Sequence, residues 1–415
     1  MKTYDVIIVG GGSAGLSAAI EAYQKGIEDI LILERGDELG GILQQCIHNG
    51  FGLQTFHEEL SGPMYAQRFI DELKTLPIAY ELESDVTKIC EDLVVSYTNQ
   101  SGYHQAQAKA IVLACGCYER NRGAISIPGK RLPGVYTAGS AQQFLNLENI
   151  RVGKKVFILG SGDIGLIMAR RMTLEGAHVV GVAEIMPYSN GLNRNIVQCL
   201  KDFDIPLYLS STIVDIQGDQ HVERVVVAKV DEKRNPIMST AQTFEVDTLL
   251  LSIGLIPEMS LATSLPMQMD KKTKGACVNE YFETSIPHIY ACGNALHVHD
   301  VVDFVTMEAK EMADCIVADL KGEVKKQKAC ETKALHGIHY VLPQRVSLQP
   351  DKDITFCFRV SKPYKNIDIL VKNKDQVLKK VHKRYALPSE MIRLKINKSV
   401  FTTTLDEVTI EVSEG

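Results

Sequence analysis

The chain of 415 residues is long enough for two or three domains with ample hydrophobic cores. Hydrophobic residues make up 45% and charged residues 23%, as in ordinary globular proteins, and the net charge of −6 argues against a nucleic-acid-binding surface. A buried strand starts near residue 4, so we expect no signal peptide. No apolar run is long enough to span a bilayer, so we also expect no transmembrane segment and a cytoplasmic location. The ten cysteines are scattered without CxxC pairs, which favours reduced thiols.

The first 41 residues predict a strand, a glycine turn, a helix and a second strand that ends in an acid. In the turn GGGSAG, Gly10 permits a tight bend, Gly12 permits close approach of a pyrophosphate, and Gly15 lets the helix pack on the strand. The free N–H groups and the dipole of that helix favour phosphate at its start. Glu34 follows the second strand and is expected to accept hydrogen bonds from a ribose. The pattern predicts a dinucleotide-binding site.

The segment ILQQCIHNGFGLQTF, residues 42–56, has no clean period of 2 or 3.6. It contains Cys46, a candidate reactive thiol, and His48, a candidate proton relay. Two interpretations stay open: the segment lines a reaction pocket, or it is an ordered loop without chemistry. A lone cytosolic cysteine is more often inert than reactive.

Periodicity then predicts a helix over Pro63–Leu76 and strands over 78–83, 94–97 and 110–114. The last of these strands ends at Cys115-Gly116. From there to Gly134 the chain is rich in glycine, proline and arginine, which indicates a crossover between domains. Cys115 and Cys117 are too close in sequence for an unstrained disulfide, so we interpret them as packing thiols.

A second copy of the opening pattern begins at residue 155. The strand KVFIL enters GSGDIG, residues 160–165, and a helix and another strand ending in Glu184 follow. Two copies with the acid at matching separation are much stronger evidence than one glycine turn. Because a carboxylate at this position repels a 2′-phosphate, the pattern favours NAD over NADP. Arg194 lies nearby and weakens that preference.

The remaining chain predicts strands over 206–210, 222–230, 246–253 and 289–291, and a helix over Val301–Leu320. His297, His299, Asp300 and Asp303 have spacing that suggests a metal, but a capping or supporting role at the helix start is simpler, and we predict no metal site. The lysine-rich stretch Lys321–Lys333 predicts a linker. Residues 338–415 alternate as β-strands and predict a small domain for packing or interaction.

The two glycine motifs, with ACG at 114–116, SIG at 252–254 and YACGN at 290–294, resemble the flavoproteins with two dinucleotide-binding domains. These include the pyridine nucleotide-disulfide oxidoreductases. The resemblance spans residues 4–320 and implies an α/β fold with two Rossmann-like domains, an FAD domain into which an NAD(P) domain is inserted. The small all-β domain follows. The expected ranges are 1–118 and 257–325 for the FAD domain, 119–256 for the NAD(P) domain and 335–415 for the β domain.

The resemblance also implies the residues that hold each cofactor. The ADP half of FAD is expected on Gly10, Gly12, Ser13, Ala14, Gly15, Glu34 and Arg35. Further contacts are expected from Gly41 and Ile42 near the flavin, Val86 at the adenine, Gly293 and Asn294 at the ribityl and pyrophosphate region, and Val301 and Val302 at the pyrimidine. NAD is expected on Gly160, Gly162, Asp163, Ile164, Gly165 and Glu184, and Cys115, Gly116 and Gly254 complete the candidate cofactor-binding set.

More narrowly, residues 42–56, 160–177, 251–258 and 291–305 are similar to a bacterial flavoprotein subunit found with glycerol-3-phosphate dehydrogenase. They are also similar to the α subunits of hydrogen cyanide synthase and of the opine and sarcosine oxidases. That resemblance implies an electron-transfer subunit that works beside a second flavoprotein dehydrogenase subunit and a small cysteine-rich protein. It also implies a small-molecule redox substrate, with glycerol 3-phosphate oxidation as one source of electrons.

The sequence departs from the disulfide reductases at two places. Their redox pair GGxCxxxxC is replaced here by Leu43 and His48, with Cys46 between them, so the intramolecular dithiol relay is not expected. Asn294 stands where many relatives have aspartate, and its amide can still hydrogen-bond a ribityl hydroxyl.

Three functions follow from the sequence. The first is an FAD-dependent oxidoreductase that exchanges hydride with NAD(H) and transfers electrons within a complex. The second is a stand-alone NADH oxidase in which Cys46 is the redox thiol. The third is a non-catalytic nucleotide-binding subunit of a partner oxidase.

Overall fold

The computed structural model describes residues 1–325, 327–401 and 404–414. The chain forms two compact units: Met1–Cys117 with the chain from Pro257 onward, and Tyr118–Ile256. It passes from one unit to the other through the short strands Cys117–Glu119 and Leu255–Pro257. The α-helices of the described residues are α1 (Ser13–Gln24), α2 (Gly62–Lys74), α3 (Ala138–Asn146), α4 (Asp163–Leu174), α5 (Asn193–Cys199) and α6 (Val302–Leu320).

A seven-stranded sheet forms the centre of the first unit. Its order is Ala79–Glu81, Ile30–Leu33, Lys2–Val9, Gly102–Leu113, Val94–Asn99 and Asp85–Ile89, and Ile289–Ala291 pairs beside Gly102–Leu113. Lys2–Val9 is parallel to both of its neighbours, with Val9 opposite Leu33 and Leu113. These strands therefore end together at one edge of the sheet, where parallel α/β sheets bind ligands.

Helices α1, α2 and α6 share one buried core with this sheet. Small residues make the packing of α1 against α6 close: Ala18 and Ala22 on α1 and Ala309 and Ala313 on α6 are each buried in that core. Closely packed helices hold their N-terminal turns rigidly with respect to each other. The starts of both helices are thereby fixed near the edge of the sheet.

The irregular segment 42–56 is only partly regular in the structure. It contains a 3₁₀-helix, Gly41–Gln45, and a short strand, Asn49–Phe51, that pairs with Leu60–Ser61. The remaining short 3₁₀-helices of the described chain are Arg122–Ile125, Lys201–Phe203, Met238–Thr240, Ser260–Ser264, Gly293–Ala295 and Lys398–Val400.

The second unit has the same plan on a smaller scale. Its parallel sheet has the order Val135–Thr137, Thr248–Leu251, Lys155–Leu159, His178–Ala183 and Leu207–Tyr208. A three-stranded antiparallel sheet, Ser211–Gln217, Arg224–Lys229 and Gln242–Glu245, packs against it through a shared core. Helices α3, α4 and α5 contribute to the core on the other face.

The C-terminal region is a small all-β domain of two sheets around one core. One sheet has the order Arg345–Ser347, Ala329–Ala334, Val408–Glu414, Tyr364–Asn373 and Gln376–Ala386, and the other Ile338–Leu342, Ile354–Val360 and Ile392–Ile396. The predicted range of this domain includes residues 402, 403 and 415, which lie outside the described residues.

The predicted linker Lys321–Lys333 was wrong at its C-terminal end, since Ala329–Ala334 is a strand of the β domain. Cys330 and Thr332 are buried and each 8% exposed, while Ala329, Glu331 and Lys333 are exposed. The sequence analysis missed this strand because its alternation of buried and exposed residues is short and lysines are common around it. Its partner strands also lie far along the chain. Residue 326, in the same stretch, lies outside the described residues.

Candidate functional site

The first glycine turn is fixed by backbone contacts that a side chain would break. Gly10 has a φ of +108°, and a Cβ there would lie 2.4 Å from the carbonyl oxygen of Ala114. A Cβ on Gly15 would lie 1.9 Å from the carbonyl oxygen of Gly10. Both glycines are therefore required by the packing of the turn, the helix and the neighbouring strand.

Gly12 differs, because the space beside it is open. Apart from its chain neighbours, a Cβ on Gly12 would meet no described atom within 4 Å. Gly12 is the N-cap of α1, and no side chain of the described residues accepts a capping hydrogen bond there. An open space in front of a helix N-terminus fits a pyrophosphate, and the first turn therefore fits the ADP half of FAD.

Glu34 clamps this turn to the sheet. Its carboxylate is buried and accepts hydrogen bonds from the backbone N–H of Gly11 at 2.6 Å and of Gly36 at 2.8 Å. The ribose contact that the sequence predicts would use the remaining acceptor capacity of the same oxygens. Two other residues predicted to hold the ADP half are Ser13 and Arg35. The carbonyl of Ser13 accepts a hydrogen bond from the hydroxyl of Ser17, and Arg35 is exposed to solvent.

The second turn repeats this clamp at the same spacing. Glu184 accepts hydrogen bonds from the N–H of Ser161 at 3.0 Å and of Met186 at 2.9 Å, so each acid binds the amide 23 residues before it and the amide two residues after it. A Cβ on Gly160, whose φ is +99°, would lie 1.9 Å from the carbonyl oxygen of Ser252. The two motifs therefore share the same acid clamp.

The second turn also has contacts that the first lacks among the described residues. Asp163, predicted to contact the cofactor, accepts hydrogen bonds from the N–H of Leu192 at 2.8 Å and the amide of Asn195 at 2.6 Å. The hydroxyl of Ser252 accepts from the N–H of Gly165 at 3.0 Å. Asp163 thus holds the loop at the start of α5, and the N–H of Asn190 in that loop donates to the hydroxyl of Ser161 at 3.1 Å. A Cβ on Gly162, the N-cap of α4, would lie 3.4 Å from the hydroxyl of Ser252.

Several other predicted residues gather around the first turn. The N–H of Gly40 donates to the carbonyl of Gly11 at 2.9 Å, and a Cβ on Gly41 would lie 3.2 Å from the Cα of Gly12. A Cβ on Gly293 would lie 2.9 Å from the Cβ of Ala14. The Gly40-Gly41 loop and the turn at Gly293 therefore both border the start of α1.

The remaining predicted positions lie at the ends of strands or helices. Val86 is half-buried in Asp85–Ile89, and Ile42 is 65% exposed. Gly116 and Gly254 have positive φ values, and Val301 and Val302 form the N-cap and first residue of α6, as predicted. Burial raises the pKa of the Cys115 thiol to about 12, which fits a packing role.

Cys46 lies in an environment that disfavours its thiolate. Burial raises the pKa of its thiol to about 12, and its sulfur lies 3.3 Å from the carbonyl oxygen of Ile42. A protonated thiol is a weak nucleophile and a slow redox group at neutral pH. His48 is half-buried, with Nδ1 3.1 Å from the carbonyl oxygen of Asn49 and its ring 4.9 Å from that of Phe51.

The buried acids of α6 have larger roles than the sequence indicated. Asp303, 2% exposed, does not cap its own helix but accepts hydrogen bonds from the N–H groups of Gly52, Gln54 and Thr55 at 2.8–3.2 Å. It therefore fixes the irregular segment against the start of α6. Its partners are about 250 residues away, so only its position on the apolar face of α6 was a signal.

Glu308, which the sequence analysis missed, is the centre of a buried network. One carboxylate oxygen accepts from the N–H of Gly293 at 2.8 Å, and the other lies 2.8 Å from Nε2 of His297 and 3.3 Å from Nε2 of His299. Burial alone would raise the pKa of Glu308, but the two histidines outweigh it and hold that pKa well below its usual range. Burial lowers the pKa of His297, which favours the neutral ring.

His297, Glu308 and Cys357 place one nitrogen, one oxygen and one sulfur within 4.8 Å of one another. Such a set has metal-ligating chemistry, but the nitrogen and oxygen already form a direct hydrogen bond. A second group, Glu283, His288 and Asp319, is half-buried and joined by its own hydrogen bonds. The expectation that the chain binds no metal stays a prediction.

Comparison with known proteins gives the family. Residues 4–314 match the family described as pyridine nucleotide-disulphide oxidoreductase. The chain belongs to this family. With this membership and with the fold described above, the chain has two Rossmann-like domains and a small C-terminal β domain. The described residues contain no helix that is both long and apolar enough to cross a membrane.

Two similar proteins are distant relatives of this chain. Hydrogen cyanide synthase subunit HcnB of Pseudomonas protegens is 25% identical over 314 residues, covering 69% of this chain and 65% of HcnB. A ferredoxin–NADP reductase of Picrophilus torridus is 26% identical over 310 residues, covering 72% of this chain and 87% of the reductase. The chain thus spans about two-thirds of the length of HcnB.

A solved structure has the same fold. The crystal structure of thioredoxin reductase from T. acidophilum matches with a TM-score of 0.63 at 22% identity, covering 77% of this chain and 99% of the reductase. At that identity the match bears on the fold and not on the substrate.

Proposed function

We propose that this protein exchanges hydride between NAD(H) and FAD and passes the electrons on as a subunit of a dehydrogenase complex. The observation that supports this most strongly is the repeated acid clamp at Glu34 and Glu184. A glycine turn alone is weak evidence, but two turns with the same clamp predict two dinucleotides on one chain. Both motifs lie within the region matched to the family.

FAD is assigned to the first motif. Its ADP half would be held at the open space beside Gly12 and the start of α1, with Glu34 at the ribose. The turn at Gly293 and the start of α6 would hold the rest of the cofactor, since Gly293 borders Ala14. We assign residues 1–118 and 257–325 to the FAD domain, and the change of compact unit at residue 117 and at residue 257 supports these limits.

NAD is assigned to the second motif, in a domain of residues 119–256. The carboxylate of Glu184 is 3% exposed and held by two backbone amides and the hydroxyl of Ser161. A charge fixed at that position favours a ribose with free hydroxyls and repels a 2′-phosphate. NADH is therefore expected to be the better substrate.

The chemistry needs little acid–base help from side chains. Bound FAD supplies the hydride acceptor, and the work of the chain is to bind and orient the two nucleotides. The clamps at Glu34 and Glu184 hold the phosphate-binding turns, and Asp303 fixes segment 42–56 beside the start of α6. The packing of α1 against α6 holds the first glycine turn and the start of α6, which together would form the FAD site, in fixed positions relative to each other.

The complex is the less direct part of the proposal. By its name, HcnB of P. protegens is a subunit of a larger enzyme, and this chain resembles such subunits. We propose a second flavoprotein dehydrogenase subunit and a small cysteine-rich protein as partners, with glycerol 3-phosphate as a candidate electron source. A cytoplasmic location stays a prediction of the sequence.

The two other functions have less support. A stand-alone NADH oxidase would need Cys46 as a redox thiol, and burial raises the pKa of that thiol to about 12. A non-catalytic subunit would need only the two nucleotide-binding turns, without hydride transfer between the bound nucleotides.

Anaerobic mixing with NADH, together with a separate aerobic assay of oxygen consumption, distinguishes the three functions. The proposal expects prompt loss of the flavin absorbance near about 450 nm with NADH, a slower loss with NADPH, and an unchanged rate in Cys46→Ser. Oxygen turnover that disappears in Cys46→Ser would instead support the oxidase. If neither NADH nor NADPH bleaches the flavin, the non-catalytic nucleotide-binding subunit is the remaining function. Purification from the native host, with identification of the chains that accompany this one, tests the complex.

A further inference from the structure

We propose that Arg359 of the C-terminal β domain is a positioning residue for segment 293–302, the turn and loop that lead into α6. The inference rests on the proposed function, because this segment is where FAD is assigned. It gives the β domain a role that neither its composition nor the family match supplies, since the match ends at residue 314.

The first observation is that Arg359 bonds directly to the loop that contains Val298 and Asp300. Arg359 lies in the strand Ile354–Val360, and its guanidinium donates to the carbonyl of Val298 at 3.0 Å and forms an ion pair with Asp300. A third bond to the carbonyl of Pro388, at 3.0 Å, ties the same side chain to its own domain. The Arg359 and Asp300 side chains are 15% and 11% exposed, so solvent competes weakly for the pair.

The β domain reaches the loop at a second point. The other carboxylate oxygen of Asp300 accepts from the N–H of Met391 at 2.6 Å. Asp300 is thus held between a side chain and a backbone amide of the β domain, two residues before the start of α6. Displacing it would move the helix N-terminus that is assigned to face the flavin pyrimidine.

The second observation is a chain of polar contacts from Arg359 to the turn at Gly293. Nε of Arg359 donates to the hydroxyl of Tyr340 at 3.2 Å, and that hydroxyl lies 3.5 Å from Nδ1 of His297. Nε2 of His297 in turn bonds Glu308, whose other oxygen accepts from the N–H of Gly293. Each member is buried or nearly so, and a buried polar group that loses its partner is costly.

These contacts hold both ends of the segment. Gly293 is held through Glu308, and Val298 and Asp300 are held directly by Arg359. Within the segment, the side-chain oxygen of Asn294 accepts from the N–H of His299 at 2.9 Å, so the two ends are also linked to each other. Removing Arg359 should therefore loosen the segment as a whole.

The matched control is Lys372, another half-buried cation of the β domain. It pairs with Glu411 between neighbouring strands of that domain. If Arg359 acts only by stabilising the β domain, Lys372→Ala should have the same effect as Arg359→Ala. If it positions the segment, only Arg359→Ala should.

The test is hydrogen–deuterium exchange of residues 293–302 in the full-length chain, together with a fluorescence titration of FAD onto the flavin-free protein. We expect Arg359→Ala to speed exchange in this segment and to raise the FAD dissociation constant, each by about tenfold or more, the change produced by losing one charged hydrogen bond. Arg359→Lys should restore part of both, since an ammonium can pair with Asp300 but cannot reach all four acceptors.

Tyr340→Phe is a milder variant for the case in which Arg359→Ala does not fold, because it removes only the hydroxyl between Arg359 and His297. It should speed exchange at 293–297 while Lys372→Ala does not. Unchanged exchange in both Arg359→Ala and Tyr340→Phe would overturn the inference, as would an equal change in Lys372→Ala. A parent protein that binds no FAD while the exchange differences persist would refute the proposed function and leave the positioning of the segment standing.

Discussion

At the scale of single residues, the glycines of the first turn divide into two kinds. A Cβ on Gly15 would lie 1.9 Å from a backbone oxygen, whereas a Cβ on Gly12 would enter open space. The sequence motif treats them alike, because it records residue type and spacing only. The structure predicts that one glycine serves the fold and the other serves the ligand.

Substitution of these two glycines should therefore have different results. Gly12→Val should lower the free energy of unfolding of the flavin-free protein by no more than about 1 kcal/mol, the scale of a poor helix N-cap, and should abolish FAD retention. Gly15→Ala should lower it by about 3 kcal/mol or more, since backbone atoms must move. Denaturant unfolding and flavin absorbance of the purified variants measure both. A Gly12→Val protein that retains FAD would contradict the assignment.

The charge of Glu184 should set the choice between nucleotides. Glu184→Gln keeps the size of the side chain and one carbonyl acceptor but removes the negative charge. Unit charges about 4 Å apart in water interact by about 1 kcal/mol, so the preference for NADH over NADPH should fall by about fivefold or more. The ratio of the two anaerobic flavin-reduction rates measures this. An unchanged ratio would show that the loop at Arg194, and not Glu184, decides the preference.

The candidate residues illustrate what a sequence can and cannot predict. The positions of Gly10, Gly160, Glu34 and Glu184 follow from a local pattern, because the turn, the helix and the acid lie within 30 residues. Glu308 could not be found in the same way. Its hydrogen bond with Gly293 exists only once the strand Ile289–Ala291 and α6 have packed together, and no local sequence pattern predicts it. Buried acids in an apolar helix were the only signal.

At the scale of elements, α6 anchors the irregular segment. Asp303→Asn should lower the free energy of unfolding by about 2 kcal/mol or more, because three backbone N–H groups lose a charged acceptor. Amides 52–55 should also exchange faster with deuterium. Asp314→Asn is the control on the same helix: its side chain is 52% exposed in a surface pair with Lys25, so it should change little. Equal effects of the two variants would remove the anchoring role.

The buried network on α6 predicts an acid-sensitive fold. The pKa of Glu308 is held below its usual range by His299 and His297, so the unfolded chain binds this proton more readily. The stabilisation from Glu308 is complete above about pH 4.3, the pKa of an unfolded glutamate, and is lost as the pH falls from there toward the folded pKa. Burial lowers the pKa of His297, which adds an earlier loss below about pH 6.5.

Glu308→Gln should remove the later loss only. Its free energy of unfolding should fall less steeply than that of the parent between about pH 5 and pH 3, while the loss below about pH 6.5 persists. Denaturant unfolding at a series of pH values measures both slopes. Parallel curves for parent and variant would show that Glu308 is not ionised in the way the network requires.

Element boundaries were predictable where one face of an element is continuously apolar. Helix α6 begins one residue after its predicted start, whereas the strand Ala329–Ala334 was predicted as linker. A strand of six residues with two inward side chains carries little local signal, and its pairing with residues 345–347 and 408–410 comes from the far end of the domain. Tertiary pairing, and not local propensity, forms it.

At the scale of the whole molecule, the repeat is the main result. The fold class could be predicted from the sequence because two copies of one motif stand at either side of a crossover. The role of the β domain could not, because it depends on Arg359 meeting a loop about 60 residues earlier. Local sequence patterns therefore predict the two nucleotide-binding turns, whereas the contacts that hold them in place are long-range and become visible only in the structure.

The most direct test of two working cradles is an anaerobic titration of the purified protein with NADH. The account predicts a yellow protein with one FAD per chain, whose absorbance near about 450 nm is lost in proportion to NADH, with an end point near one NADH per flavin. A colourless protein that takes up neither added FAD nor NADH would contradict it.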